Sequence, residues 1–191
     1  MRRDLTTSLI AIVVLTLLLG LAYPLLTTGI AQVLWPNKAD GSRVERDGDL
    51  VGSRLIGQEF KGPRWFHSRP SATGYSANVT YFNNLGPNNR ELSVLFRKNL
   101  DAYLRRERPF NPGLEAADVP PDAVQTTASG VDPQISQANA RIQARRVAEA
   151  RGLPLERVLE LVDENTDGRG LGVLGEPGVN VLELNLALER A

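Results

Sequence analysis

His67 is the only histidine in the chain, and an imidazole is the side chain best suited to accept a proton near neutral pH. A Ser-His-Asp triad could combine it with Ser68 or Ser129 as the nucleophile and with Asp132 as the carboxylate that orients the ring. The sequence contains no G-x-S-x-G turn, which presents the nucleophilic serine of many hydrolases. Two interpretations therefore stand: a hydrolase centred on His67, or a histidine held in a structural hydrogen-bond network.

The segment after residue 162 is similar to half of a calcium-binding loop. Asp163, Asn165, Asp167 and Gly168 match the first positions of an EF-hand, whose carboxylate and amide oxygens bind Ca²⁺. The twelfth position of that loop should be a bidentate Glu, and here it is Leu174. Because the set of oxygen ligands is incomplete, we interpret the segment as a polar turn and assign no metal to it.

Three glycines, Gly170, Gly172 and Gly175, form the pattern G-x-G-x-x-G. That pattern binds dinucleotide phosphates where it joins a strand to the start of a helix. Here an acidic turn precedes it and residues 176–178 (EPG) follow it, which is the wrong context. The chain also has no Walker A sequence. We therefore favour a flexible turn and assign no cofactor to the residues of this chain.

The composition excludes several classes of site. The 191 residues carry 22 basic and 22 acidic side chains, so the net charge is zero, and no basic stripe stands out along the sequence. Nucleic acid is therefore not expected as a partner, because phosphate binding needs clustered Lys and Arg. The absence of cysteine excludes disulfides, zinc–thiolate sites and iron–sulfur clusters.

No charged residue lies between Leu5 and Asn37, which predicts a transmembrane helix within residues 1–35. A helix from Leu5 to Trp35 would be about 46 Å long, whereas the hydrocarbon core of a bilayer is about 30 Å thick. A cleaved signal peptide is the rival interpretation, but the apolar stretch is long and lacks a small-x-small cleavage site after it. Basic residues flank both ends, so the positive-inside rule leaves the sidedness open.

The predicted membrane helix has features of a packing surface. Pro24 removes a backbone donor and leaves the carbonyl of Gly20 without its helical partner. Thr16 and Gly20 form a small-x-x-x-small pair on one face, which permits close contact with another helix. Thr16, Gly20 and Pro24 are therefore our candidate seam for a membrane partner.

The rest of the chain is predicted as a linker, residues 36–49, followed by a single α+β domain, residues 50–191. Asn88 or Asn89, Ser136 and Asn180 are suited to cap the starts of three helices, and Gly152 to end one. The last segment also alternates with the period of a strand, but we favour a helix. The expected elements are strands at 50–56 and 123–127, a long loop at 60–87, and helices at 88–107, 136–151, after Pro154, and 181–189.

Four groups of short sequences, spread in order over nearly the whole chain, together resemble the KdpC family, the C subunits of bacterial Kdp potassium-transporting ATPases. Ser68, where a Gly is common, is a mild departure from the pattern. The matching segments are 23–27 (YPLLT); 55–58 (LIGQ) with 66–72 (FHSRPSA); 128–133 (ASGVDP), 135–136 (IS), 146–148 (RVA) and 150–152 (ARG); and 175–177 (GEP), 179–182 (VNVL) and 184–188 (LNLAL).

The resemblance implies a non-catalytic, single-pass subunit of the bacterial inner membrane, with its N-terminus cytoplasmic and its domain periplasmic. The implied partners are the potassium-translocating A subunit, the ATP-hydrolysing B subunit, the small F subunit and the lipid bilayer. The family is also described as a catalytic chaperone that raises the ATP affinity of the B subunit, so ATP is expected only at the level of the complex. The alternative function is a single-pass anchored periplasmic hydrolase centred on His67. The motif residues expected to support the domain or contact a partner are His67, Arg69, Pro70, Ser129, Gly130, Asp132 and Asn180.

Overall fold

The computed structural model describes residues 2–76, 78 and 84–191. The chain folds as two compact units, Met1–Val51 and Gly52–Ala191. It mixes helices with short strands, as expected for an α+β chain that begins with a long apolar helix. The predicted loop at 60–87 contains no helix or strand in its described part; residues 77 and 79–83 lie outside the described residues.

The first unit begins with an apolar helix from Arg2 to Leu34, which is long and apolar enough to cross a membrane. It consists of α1 (Arg2–Leu17), one π-helical turn (Leu18–Ala22) and α2 (Tyr23–Leu34). A short helix, α3 (Pro36–Ala39), follows directly. The apolar helix thus ends at Leu34, whereas the helix considered from the sequence extended to Trp35.

The π-helical turn lies immediately before Pro24, where the sequence predicts a break in the hydrogen-bond ladder. The N–H of Tyr23 donates to the carbonyl of Leu18, five residues back rather than four. The hydroxyl of Thr27 donates to the carbonyls of Tyr23 and Pro24, both at 3.0 Å. The wider turn thus accommodates a proline that supplies no N–H and whose ring crowds the preceding turn.

The segment predicted as a linker contains regular structure. After α3, a β-hairpin is formed by β1 (Arg43–Arg46) and β2 (Asp49–Ser53). The turn residues Asp47 and Gly48 have φ values of 54° and 89°. Asp-Gly is a favoured pair for the two-residue hairpin turn that needs positive φ at both positions, so the hairpin has a local cause.

Two strand predictions need correction. The strand expected at 50–56 ends at Ser53, because the chain then turns and the N–H of Ile56 donates to the carbonyl of Ser53 at 3.2 Å. The strand expected at 123–127 is absent; Pro121–Ala123 form a 3₁₀ turn instead. Two successive prolines fix the backbone there, and Ala123 donates to the carbonyl of Pro120 at 3.0 Å.

The second unit contains the helices α4 (Arg90–Glu107), α5 (Gln137–Arg151), α6 (Leu155–Glu164) and α7 (Val181–Glu189). Three of them begin after a predicted capping residue, and α6 follows Pro154. The side chains of Asn89, Ser136 and Asn180 each accept a backbone N–H in the first turn, and Gly152 ends α5 with a φ of 69°. The preference for a helix at 181–189 is confirmed.

A small antiparallel sheet was not predicted. Its order is β3 (Gln134–Ile135), β5 (Gly178–Asn180) and β4 (Thr166–Asp167), with β5 in the centre. Ile135 and Thr166 both lie opposite Val179. Strands of two or three residues are too short to show the alternation on which sequence prediction depends.

The hydrophobic core lies between the sheet and helices α5, α6 and α7. The buried face of α5 includes the small residues Ala140, Ala144 and Ala148, and α5 packs against α6. The fully buried apolar side chains of this core are Phe66, Ile135, Ala140, Ala144, Val147, Val158, Val162, Val179, Val181 and Leu184.

Candidate functional site

Two buried amide side chains hold the backbone at Phe66 and His67. The oxygen of Gln143, on α5, accepts the N–H of His67 at 2.8 Å, and its nitrogen donates to the carbonyl of His67 at 3.1 Å. Asn185, on α7, makes the equivalent pair with Phe66 at 2.9 and 3.0 Å. Each amide acts as a neighbouring strand would, so this segment is fixed without belonging to a sheet.

The ring of His67 is committed to a structural contact. Its Nε2 lies 2.9 Å from the carbonyl oxygen of Gly62, and because that oxygen can only accept, Nε2 must carry the proton. Burial, reinforced by the nearby positive charge of Arg106, lowers the pKa of His67 to about 4. The imidazole is therefore neutral at neutral pH, with its proton used in a hydrogen bond.

The structure does not assemble the triad considered above. The hydroxyl of Ser129 lies 3.1 Å from that of Thr127 and accepts the N–H of Val131 at 3.2 Å. The hydroxyl of Ser68 donates to the carbonyl of Gln58 at 3.0 Å. Asp132 pairs with an arginine rather than with His67. The hydrolase interpretation is therefore not supported.

A buried ion pair supports the segment just before His67. The Nε of Arg146 lies 3.1 Å from both carboxylate oxygens of Glu107, and both side chains are almost completely buried. One terminal nitrogen of Arg146 donates to the carbonyls of Pro63 and Trp65. Desolvation lowers the pKa of Arg146, while the Glu107 carboxylate opposes that shift.

Arg69 and Asp132, 63 positions apart in the sequence, form a partly buried ion pair. Arg69 Nη1 donates to Asp132 Oδ2 at 2.8 Å. The other carboxylate oxygen of Asp132 accepts the N–H of Gln134 at 3.0 Å, which ties the pair to the first residue of β3. About a quarter of each side chain is exposed, so the pair is accessible from the surface of the unit.

This ion pair lies within two loops that we call the paired loops, residues 69–75 and 127–132. The hydroxyl of Ser71 donates to the carbonyl of Gly130 at 2.6 Å, and the N–H of Thr127 donates to that of Pro70 at 3.0 Å. Gly130 has a φ of 76°, and a Cβ on it would lie 2.5 Å from the hydroxyl of Thr73. The glycine thus permits both the backbone conformation and the close approach.

Gly57 fits against the second of the paired loops. Its N–H donates to the carbonyl of Val131 at 2.7 Å. A Cβ at this position would lie 2.3 Å from the backbone oxygen of Asp132, so no side chain can be accommodated. The residues of the FHSRPSA and ASGVDP segments therefore meet in space, with Gly57 closing the contact.

Asn180 occupies a separate position beside the sheet. Its amide donates to the carbonyl of Arg54 at 2.9 Å, while its oxygen caps α7 through the N–H of Glu183 at 3.1 Å. The guanidinium of Arg54 binds the carboxylates of both Glu183 and Asp167. Asp167, a residue of the incomplete calcium pattern, thus lies in β4 and is paired with an arginine.

The glycine-rich segment forms a tight exposed hairpin. Gly170 and Leu174 exchange two backbone hydrogen bonds, each of 2.8 Å. Leu171 at its tip is 92% exposed, and no helix begins within the pattern. The geometry is that of a turn, which agrees with the preferred sequence interpretation. Among the described residues there is also no cluster of three or more His, Asp or Glu able to hold a metal.

Thr16, Gly20 and Pro24 lie on the exposed apolar helix, away from the paired loops in the sequence. A Cβ on Gly20 would have Thr16 Cγ2 as its nearest neighbour, at 3.9 Å. Gly20 therefore leaves an open notch on the helix surface, and it lies inside the π-helical turn.

Comparison with known proteins matches residues 5–190 to the family model KdpC, described as the c chain of a K⁺-transporting ATPase. The chain belongs to the KdpC family. Similar proteins named potassium-transporting ATPase KdpC subunit occur in Rhodospirillum rubrum, at 51% identity over 99% of this chain and 96% of the relative, and in Koribacter versatilis, at 46% over 99% and 95%. One from Mycobacterium tuberculosis is 45% identical over the whole length of both chains.

The resemblance drawn from short segments is thus confirmed at the level of the family. For this KdpC chain, the sequence highlighted His67, Arg69, Ser129, Gly130 and Asp132 but did not show how they are held. The residues that hold the site had only weak sequence signals: single polar side chains in otherwise apolar or small-residue helix faces. They are Glu107, Gln143, Arg146 and Asn185.

Proposed function

We propose that this chain is a non-catalytic accessory subunit of a potassium-transporting ATPase complex and assembles with its A, B and F subunits. The observation that carries the proposal is the family match over residues 5–190, which spans both the apolar helix and the folded unit. The ion and the complex in this proposal are taken from the name that the relatives share, potassium-transporting ATPase KdpC subunit. The hydrogen bonds that hold the backbone and the ring of His67 support a structural rather than a catalytic role.

In this proposal residues 1–35 are the cytoplasmic tail and membrane anchor, and residues 50–191 form the periplasmic domain. Residues 36–49 link the anchor to the domain. The 33-residue helix supports the anchor, since about 20 residues suffice to cross a bilayer. No residue of the helix is buried within the isolated chain, as expected of a helix whose partners are lipids and other subunits. The bacterial inner membrane is the compartment that the family relationship favours.

The membrane seam of the proposal consists of Thr16, Gly20 and Pro24. The notch at Gly20 allows another helix to approach closely, and the π-helical turn beside it gives the seam a distinctive shape. The hydroxyl of Thr27 donates to the carbonyls of Tyr23 and Pro24 within the same helix, so it is not offered to a partner. Packing of the seam against the potassium-translocating subunit would depend on shape.

The paired loops are proposed to give the domain a fixed surface. Arg69, Ser71 and Gly130 join the two loops directly, and the partly exposed Arg69–Asp132 pair lies at their junction. Internal support is the main role of this network. A partner subunit that contacts the domain would meet a preformed surface and would lose little conformational entropy on binding.

In the proposed orientation, the domain and the ATP site of the B subunit lie on opposite sides of the membrane, so an effect of this chain on the ATP affinity of that subunit must be transmitted through the membrane. Only the few residues before Leu5 would share a compartment with ATP in the proposed orientation. We therefore infer that any effect on the ATP-hydrolysing subunit passes through the apolar helix and its seam, and that ATP need not contact this chain. No residue of the chain is assigned to nucleotide binding.

The proposed orientation can be tested by cysteine labelling, because the chain contains no native cysteine. We expect a membrane-impermeant maleimide to label L171C, at the exposed hairpin tip, in intact spheroplasts. R3C should react only after the membrane is opened. Labelling of R3C before lysis, with protection of L171C, would contradict the orientation.

A further inference from the structure

The exposed face of α4 carries a cluster of basic side chains that take no part in the hydrogen bonds described for the paired loops. Successive residues of an α-helix are rotated by about 100°, which places the members of this cluster within an arc of roughly 100°. From the first to the last, the cluster is about 22 Å long. We call it the basic face; it consists of Arg90, Arg97, Lys98 and Arg105, all exposed, with Val94 at its centre.

The basic face has a net charge of plus three, since Asp101 is the acidic residue on the same arc. Within the described part of the chain, no carboxylate lies within ion-pair distance of its four cationic groups. Residues 77 and 79–83, outside that part, contain no Asp or Glu. Two arginines elsewhere in the unit are paired, by contrast: Arg157 with Glu160 and Arg169 with Glu176.

The expectation that the chain has no basic stripe was therefore wrong. The chain as a whole is neutral, and its basic residues are dispersed in the sequence, which hides the cluster. Helical spacing brings the four together, while Glu107, the acidic residue at the end of the helix, is buried against Arg146. The basic face results from folding rather than from composition.

The side chains of the basic face are exposed rather than buried. A groove of about 500 Å³ runs along it, and its described lining consists entirely of α4 residues. Val94, in the middle, is 62% exposed. A single helix surface with long cationic side chains around one apolar residue fits an extended, negatively charged layer better than a small ligand.

We propose that the basic face docks on anionic phospholipid headgroups. The charge complementarity is direct, because Lys and Arg side chains near a bilayer are attracted to anionic lipids. The inference depends on the proposed anchor, which tethers the unit to a membrane and makes docking an intramolecular event. Docking would hold the folded unit against the bilayer without insertion, since α4 buries its apolar face in the protein: Tyr103 and Leu104 are buried.

The test uses the full-length chain in nanodiscs, with a spin label on V94C. Two lipid compositions are compared: phosphatidylcholine alone, and equal parts of phosphatidylcholine and phosphatidylglycerol. We expect the label to be shielded from an aqueous paramagnetic quencher only in the anionic discs. Raising the salt from about 0.05 M to about 0.5 M should remove the shielding, because it screens exposed charges.

Two variants with the same charge change separate the basic face from total charge. R90Q/R97Q/K98Q/R105Q should reduce the ratio of docked to free domain at least about tenfold, because each basic residue near an anionic surface contributes severalfold. R141Q/R145Q/R157Q/R169Q, which neutralises dispersed arginines, should leave the ratio nearly unchanged. A second label, on L15C, reports whether the helix is inserted and thus tests the anchor independently.

Equal shielding at Val94 in neutral and anionic discs would overturn the proposal, as would full shielding in the R90Q/R97Q/K98Q/R105Q variant. Shielding that occurs only with the other subunits present, in neutral lipid, would also overturn it and would identify an acidic protein surface as the partner. If the L15C label is exposed to the aqueous quencher, the anchor itself fails; if it is shielded while V94C stays exposed in anionic discs, docking alone fails.

Discussion

At the scale of single residues, the buried amides of Gln143 and Asn185 supply hydrogen bonds that a strand would otherwise provide. Each pairs with both the N–H and the carbonyl of one residue, His67 or Phe66. An unpaired backbone group in such a buried place costs about 1–3 kcal/mol, so removing one amide affects several groups at once. Gln143 also accepts from Arg146 at 3.0 Å and thereby links the histidine segment to the buried ion pair.

We predict that Q143M lowers the free energy of unfolding by about 3 kcal/mol. Methionine has a similar volume but cannot bond the backbone of His67, and it leaves a nitrogen of Arg146 without its acceptor. The measurement is urea unfolding of the full-length chain in detergent. Q125M, at an exposed position, is the matched control and should change the value by less than about 0.5 kcal/mol. Equal, small effects of the two variants would contradict the assigned role.

His67 should make the folded unit sensitive to acid. Its pKa is lowered from 6.5 to about 4 in the folded state, so the unfolded chain binds more protons between these values. Stability is therefore unaffected by this group above about pH 6.5 and falls as the pH decreases towards 4. Protonation would also charge a ring that lies beside Arg106 and Arg146.

The variant H67Q separates this histidine from the carboxylates, which also respond to acid. A glutamine keeps an amide donor for the carbonyl of Gly62 but does not titrate. Between pH 6.5 and 4, the slope of unfolding free energy against pH reports how many more protons the unfolded chain binds than the folded one. We predict that this number is smaller in H67Q by up to about one proton. Identical slopes in the two proteins would show that His67 is not held neutral by burial.

At the scale of elements, local signals predicted the helices well because the relevant residues act within one turn. Asn89, Ser136 and Asn180 cap as expected, and Gly152 ends α5 in the left-handed conformation. Pro24 marked the disturbed turn of the apolar helix, although the π-helical form depends on how the preceding carbonyls relax. The short strands depend on long-range pairing, such as Gln134 with Asn180, which no local pattern contains.

In the candidate site too, some features have local sequence signals and others depend on contacts between distant residues. The residues of the paired loops were visible as motif members, but the Arg69–Asp132 pair joins positions 63 apart. In the sequence, Gly57 only follows the strand expected at 50–56 and belongs to the LIGQ segment. Its contact with the backbone of Asp132 depends on the fold of both segments. The local sequence therefore could not show that only glycine, which has no side chain, fits at this position.

The membrane seam gives a prediction at this scale. G20L should fill the notch beside Thr16 and weaken assembly with the other subunits, because transmembrane helices associate through close packing. A22L places the same leucine side chain two residues along, on the other side of the helix, and should assemble normally. Subunit content after affinity purification is the measurement. A G20L complex that retains every subunit and potassium-stimulated ATPase activity would eliminate this seam.

At the scale of the whole molecule, the chain combines an apolar helix that has no buried residue with a folded unit that has its own hydrophobic core. The family match extends across both parts, from residue 5 to residue 190. A chain with this organisation has its interaction surfaces in two places: the helix, where partners or lipid must cover exposed leucines, and the outside of the folded unit. Its function is therefore expected to appear only in the assembled complex.

The most direct test of that account is purification of the affinity-tagged full-length chain from native membranes under mild detergent. We predict that the A, B and F subunits copurify with it in fixed proportion, that the preparation hydrolyses ATP in response to K⁺, and that the isolated chain hydrolyses nothing. Recovery of the chain alone from membranes that contain the other subunits, or substrate turnover by the isolated chain that H67Q abolishes, would contradict it.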